Sequence, residues 1–251
     1  MSGHSKWAGI KHKKAIVDAK RGQAFTRASR EITIAAKEGG GDLEGNFRLR
    51  LAAQKAREIN MPADKIQSAI DRGTGAGKGE SLEELRYEGY GPAGVAVLVD
   101  AMTDNRNRTS ASLKHIFSKY GGNLAEAGAV SWMFERKGMI ELDPGKVDRD
   151  ELGLAAIDAG AEDVQVEEGG IEITTAPNDL EAVKNAVEGL GAGVENAEIT
   201  MHPKQTVPVE EDRVASVLRL LEALEEDDDV QQVYANFDIP ADVLERVSAQ
   251  V

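Results

Sequence analysis

The stretch Gly73-Thr74-Gly75-Ala76-Gly77-Lys78-Gly79 constrains the fold more than any other feature of this 251-residue chain. Four glycines in seven residues cannot hold regular structure cheaply, so a domain boundary is expected there. The hydrophobic period changes across it. On its N-terminal side apolar residues recur at helical spacing. Phe25, Ala28, Ile32, Ala35 and Ala36 mark one helix, which Gly39-Gly40-Gly41 should end. Phe47, Leu51, Ala52, Ala56 and Ile59 mark the apolar face of a second. Pro62 stands near the start of a third, where its missing N–H costs little, and Ile66, Ala69 and Ile70 give that helix its apolar side. Three short amphipathic helices can bury one small core.

Beyond the linker, strand signals appear. Val95, Val97 and Val99 lie in a β-branched run bounded by turn residues, and a helix over roughly 106–119 carries Ala111, Leu113, Ile116 and Phe117. Ser131 to Leu142 reads as a strand or strand pair broken at Gly138. A helix is expected near 149–159, strands near 163–167 and 171–175 joined at Gly169-Gly170, a helix near 179–190 and a strand near 195–201. That order, βαββαβ, is ferredoxin-like. After it come a strand near Thr206–Val209, a helix near 211–226 with Val214, Val217, Leu218, Leu221 and Leu224 on one face, and a last strand near 230–239. The ferredoxin-like unit is already full, so this tail is expected to fold back onto residues 80–130. The fold class is therefore α+β in three domains: residues 1–79, a basic helical bundle; residues 80–130 plus 203–251, a discontinuous α/β domain; and residues 131–202, an inserted ferredoxin-like α/β domain.

Charge divides along the same line. Residues 1–79 hold 16 Lys and Arg against 8 Asp and Glu, a net of +8, whereas residues 80–251 carry a net of −22. A basic head on an acidic body suggests a polyanionic partner met by the head alone. Within the first thirty residues Lys6, Lys11, Lys13, Lys14, Lys20, Arg21, Arg27 and Arg30 face one acid, Asp18. Each cation that neutralises a phosphate releases condensed counterions, which drives binding. Trp7 and His12 sit among them and could stack on a base, although a lone Trp more often anchors a core. His4 and His12 have no third ligand nearby, so no metal site is expected.

A second signal is Thr103-Asp104-Asn105-Arg106-Asn107-Arg108-Thr109, between a strand and a helix. Asp104 or Asn105 should cap the helix, which puts Arg106 and Arg108 in its first turn, where the macrodipole disfavours cations. A phosphate bound there beside Asn105, Arg106, Asn107 and Arg108 would account for the placement. Arginines bridging to the acidic body would account for it equally. Gly89 to Gly94 matches G-x-G-x-x-G, but a strand follows it and Pro92 removes an amide, so it reads as a turn. Gly73 to Lys78 is one residue short of a phosphate-binding loop and lacks its Ser or Thr. The run Glu225-Glu226-Asp227-Asp228-Asp229 reads as a solvated helix end.

With no Cys, disulfides and thiolate metal sites are excluded. No nucleophile arrangement or paired-carboxylate pattern stands out, so no catalytic residue and no cofactor is expected. No apolar run approaches a membrane span, and the basic N-terminus has no apolar segment behind it, so a cytoplasmic protein without a membrane partner or secretory signal is expected.

Several segments resemble the YebC/PmpR family. They are Met1 to Trp7, Ile10 to Lys14, Asp18 to Gly22, Asn60 to Asp64, Tyr87 to Pro92, Thr103 to Thr109, Gly121 to Leu124 and Trp132 to Phe134. Ala125 and Ala127-Gly128-Ala129 stand where Gly and Ser are commoner. The resemblance implies a three-domain, non-enzymatic cytosolic protein, in a family named for DNA-binding transcriptional regulators. Its mitochondrial relatives are described as translational activators, and some bacterial members are tied to the ribosome. The expected function is regulation of gene expression through nucleic acid, DNA or ribosomal RNA, with transcription or ribosomal proteins facing the acidic domains. A protein-interaction scaffold is the remaining alternative. Oligomeric state is left open.

Overall fold

The computed structural model describes residues 18–75, 82–143, 145, 147–167 and 170–248. Helices and strands mix in an α+β architecture. Three helices come first: α1 (Asp18–Gly39), α2 (Phe47–Glu58) and α3 (Ala63–Gly73). Asn46 locks the turn between α1 and α2. Its Oδ1 accepts from Leu49 N at 3.0 Å, capping α2, while its amide donates to the carbonyls of Ala35 and Gly40, each at 2.8 Å. Gly73 proves to be the last residue of α3 and a point of close approach. A Cβ there would lie 2.3 Å from the Thr33 carbonyl, so α3 rests directly on α1. Ile32, Ala35, Ala36, Leu49, Ala52, Ala53, Ala56, Ile66, Ala69 and Ile70 form the shared core.

One expectation fails in α2. Phe47 and Leu51 do not enter this core; they are 50% and 40% exposed. Leu49, Ala52, Ala53 and Ala56 form a complete i, i+3, i+4, i+7 stripe and are buried instead. Small alanines there let the helices approach closely, which turns the bulkier Phe and Leu outward.

Strand β1 (Glu83–Tyr90) pairs antiparallel with β2 (Ala96–Thr103), the two joined by a turn at Pro92–Gly94. Helix α4 (Arg106–Lys119) and the short strand β3 (Asn123–Leu124) follow. The chain then leaves for residues 132–206. On its return, β8 (Val207–Pro208) leads into helix α7 (Glu211–Glu225) and strand β9 (Val230–Ala235). β9 pairs antiparallel with β2, Val97 opposite Ala235 and Val99 opposite Val233, giving the sheet order β3-β1-β2-β9. The expected strand over 230–239 is interrupted at Asn236, whose Oδ1 accepts the Ala96 amide at 2.7 Å. A two-residue strand, β10 (Phe237–Asp238), then pairs with β8, and a helix not among the expected elements, α8 (Ala241–Ser248), follows. Val95, Val97, Val99, Leu113 and Phe117 pack against Val214, Val217, Leu218, Leu221 and Leu224.

Residues Trp132–Thr206 form a separate compact unit. Its elements are β4 (Phe134–Asp143), α5 (Arg149–Asp158), β5 (Ala161–Glu167), β6 (Gly170–Thr175), α6 (Leu180–Gly189) and β7 (Gly193–Pro203). The sheet order β5-β6-β4-β7, antiparallel throughout, is the ferredoxin-like arrangement. Gly138 does not break β4. A Cβ there would meet Thr175 Oγ1 at 2.3 Å and Leu180 Cβ at 3.0 Å, so the glycine admits a close neighbour in an unbroken strand.

Candidate nucleic-acid interface

The helix after Thr103-Asp104 begins as the sequence suggests, and Asn105 is its cap: Oδ1 accepts from Arg108 N at 3.1 Å. Asn105, Arg106, Asn107 and Arg108 are all exposed. Their side chains nevertheless have different roles. Arg108 Nη2 lies 2.9 Å from Asp229 Oδ2 and 2.8 Å from Asp104 Oδ1. Arg106 is in no ion pair among the described residues, and its carbonyl accepts from the Tyr87 hydroxyl at 3.3 Å.

Asp229, the last residue of the acidic run, is not solvated but only 5% exposed. It accepts from Thr109 Oγ1 at 2.7 Å and Thr103 Oγ1 at 3.2 Å, and it pairs with Arg30 Nη2 of α1 at 2.9 Å as well as with Arg108. Burial alone would raise its carboxyl pKa. The Thr109 hydroxyl, the Arg108 guanidinium and the charge of Arg30 outweigh that and hold it below the usual aspartate value. The same bonds, first to Asp229 and then to Asp104, push the Arg108 guanidinium upward. An Arg–Asp–Arg cluster therefore joins α1, the start of α4 and the loop after α7. Arg30 also donates to the Asp228 carbonyl. Lys37 Nζ reaches the Leu82 carbonyl at 3.1 Å, and Arg48 pairs with Glu84 at 3.2 Å, so α1 and α2 are both tied to the β1–β2 region.

Arg27 belongs to this side of α1 too. Burial lowers its pKa, against the pull of Asp228 and Asp227, while Arg30 pushes the same way as burial. Its Nε and Nη2 are buried without a hydrogen-bond partner. The predicted arginines Arg27, Arg30 and Arg108 thus face the chain's own carboxylates. Lys6, Trp7, Lys11, His12, Lys13 and Lys14 lie outside the described residues, as do the side chains of Lys20 and Arg21 on α1. Cations that the sequence pattern does not single out stand exposed on the helical bundle: Arg50, Lys55, Arg57 and Lys65. Lys55, Arg57 and Lys65 are in no ion pair among the described residues.

Two further carboxylate features are structural. Glu88 is buried on β1 and accepts the amides of Gly128, Val130 and Ser131 at 2.7–2.8 Å, pinning the loop after β3. Burial raises its pKa, but these three donors prevail and lower it. Within 132–206, Glu172 of β6 stands directly opposite Glu141 of β4. Among the described residues, no cluster of three His, Asp or Glu could hold a metal ion, and no helix is long and apolar enough to cross a membrane.

Known proteins match along nearly the whole chain. The family description "TACO1/YebC protein N-terminal domain" covers residues 5–76, and "TACO1/YebC second and third domain" covers 82–237. A "Probable transcriptional regulatory protein" of Natranaerobius thermophilus is 55% identical, over 98% of this chain and 99% of its own length. Another so named, from Dehalococcoides mccartyi, is 54% identical over the full length of both. The crystal structure of a conserved hypothetical protein from Aquifex aeolicus superposes with a TM-score of 0.79 at 50% identity, covering 90% of this chain and 93% of that one. The chain belongs to the TACO1/YebC family.

Proposed function

We propose that this protein is a non-enzymatic, cytoplasmic, nucleic-acid-binding regulator of gene expression, acting as a DNA-binding transcriptional regulator. The observation that carries the reading is the partition of charge: +8 over residues 1–79 against −22 over the rest. Polyanions are attracted to the first and repelled by the second. The names of the relatives, probable transcriptional regulatory proteins, agree with it. Binding is assigned to residues 1–60, chiefly Lys6, Lys11, Lys13, Lys14, Lys20 and Arg21, with Trp7 and His12 among them. At the start of α4, Arg106 and Asn107 supply a second point of attachment, whereas Arg30 and Arg108 hold Asp229.

The three-part division at 1–79, 80–130 with 203–251, and 131–202 belongs to the same proposal. It requires the body to stay folded when 132–202 is excised. The functional test is in-cell crosslinking followed by sequencing of both DNA and RNA fragments. Recovery of DNA from a small set of promoters is the expected result. Recovery of ribosomal RNA alone would move the site of action to translation, and absence of any nucleic-acid crosslink would leave a protein scaffold.

A further inference from the structure

Helix α2 has two faces with different chemistry. Its buried stripe is Leu49, Ala52, Ala53 and Ala56. Phe47, Arg50, Leu51, Gln54 and Lys55 follow one another at i, i+3 and i+4 on the outward stripe, and all five are exposed. Half of Phe47 meets water, and the Arg50 guanidinium stands 5.4 Å from its ring centroid. Lys55 and, on the flank, Arg57 are in no ion pair among the described residues. Glu58, the carboxylate at the end of the stripe, accepts from Gln54 at 3.1 Å. Arg48, on the other flank, is already neutralised by Glu38 at 2.6 Å and Glu84 at 3.2 Å. The outward face therefore holds an aromatic ring and a leucine flanked by Arg50 and Lys55, which are in no ion pair among the described residues.

An apolar protein groove would cover Phe47 and Leu51 but would strip water from Arg50 and Lys55 without returning a charge. An acidic protein surface would satisfy the cations, but its carboxylates do not themselves carry a ring to stack on Phe47. Unpaired nucleotides supply both, because each carries an aromatic base and a phosphate. A duplex hides its ring faces in the stack. We infer that the outward face of α2 is a docking platform for single-stranded nucleic acid, with a base stacked on Phe47 and the neighbouring phosphates met by Arg50 and Lys55. The inference rests on the nucleic-acid reading above and adds to it the strandedness of the ligand.

The test uses the full chain with fluorescein-labelled oligo(dT), oligo(U) and a duplex of equal length, read by anisotropy. Phe47→Ala should weaken binding to a single strand roughly tenfold, the range found for removal of one stacked aromatic, and change duplex binding less than about twofold. The oligo(dT) and oligo(U) arms report whether the strand is DNA or RNA. Phe47→Trp should keep the affinity, and its added fluorescence should be quenched by the oligonucleotide beyond the quenching seen in the wild type. Phe47 is exposed, and thermal melts should confirm that both variants fold. Single-strand binding unchanged in Phe47→Ala, alongside binding abolished in a Lys11, Lys13, Lys14 triple alanine variant, would overturn the platform and leave the broader reading standing. A wild-type chain that binds none of the three probes would overturn both. A Phe47→Ala effect confined to self-association would make this face a protein interface and overturn the platform.

Discussion

Burial works against both Asp229 and Glu141, yet the two carboxylates sit in opposite company. Asp229 is met by two arginines and two threonine hydroxyls drawn from α1, β2 and α4. Glu172 lies in register with Glu141, and Glu141 is pushed up to about 7, first by burial and then by the charges of Glu172, Glu198 and Glu195. One region gathers opposite charges from distant segments; the other sets like charges side by side on a sheet face. Burial pushes both Asp229 and Glu141 upward; at Asp229 the hydroxyl and the arginines overturn that push, and at Glu141 the neighbouring carboxylates add to it. The first arrangement fastens α1 to the start of α4 and to the loop after α7. The second should make the stability of the 132–206 unit depend on pH, because Glu141 is pushed up to about 7.

The largest expected effect comes from breaking the first arrangement. Asp229→Ala leaves Arg30 and Arg108 without their shared partner and should cost about 3 kcal/mol, as removal of one member of a buried ion pair does. Hydrogen exchange should show α1 and the start of α4 loosening together while 132–206 keeps its protection. Loosening of α4 alone would mean that Arg30 contributes nothing.

The two regions should also respond oppositely to pH. Asp229 has a folded value below its unfolded one, so its stabilisation is present above about 4 and is lost as pH falls through the folded value. Glu141 has a folded value raised from 4.5 to about 7. Its contribution is complete below the unfolded value and drains away as pH rises through about 7. Protection of 132–206 should therefore fall as pH rises from about 4.5 to about 7, and Glu141→Gln should flatten that fall by about 1–2 kcal/mol, allowing for solvent screening. A fall of the same size in the variant would put the charge strain elsewhere.

Smaller effects sharpen the contrast at α4. Asn105→Ala removes the cap and should cost about 1 kcal/mol in denaturant unfolding. Arg106→Glu should stay within about 0.5 kcal/mol, because its side chain is exposed and in no ion pair among the described residues, whereas its neighbour Arg108 is committed to Asp229. Equal costs for Arg106→Glu and Arg108→Glu would erase the distinction between them.

Local signals were legible in the sequence. The βαββαβ order, the Asn105 cap and the apolar faces of α4 and α7 each depend on residues within a few positions of one another. What stayed hidden is held at a distance. Asp229 is 121 residues from Arg108 and 199 from Arg30, so an acidic run with the look of a solvated helix end is in fact a clamp. Phe47 and Leu51 fit a helical period, but so does the alanine stripe beside them, and only the approach of α1 and α3 decides which one is buried. Gly138 has the look of a strand break because its neighbours, Thr175 and Leu180, lie far along the chain. Helix α8 is eight residues long, and its apolar Val243, Leu244 and Val247, although at helical spacing behind Pro240, are too few to fix a helix by themselves. Of the candidate site, the motif at 103–109 was recognisable as special, and bridging of its arginines to the acidic body was one of its two readings; that the acid is Asp229 was not legible, since half of the cluster lies outside the motif.

The role of the basic N-terminal segment is tested most directly by titrating the intact chain with nucleic acid at several salt concentrations, beside a variant in which Lys11, Lys13 and Lys14 are all alanine. Wild-type affinity should fall steeply on a log–log plot, and the variant's slope should be shallower by roughly one unit for each phosphate it no longer neutralises. Identical slopes for the two proteins would mean that these lysines meet no phosphate, and would contradict a charge-led binding mode.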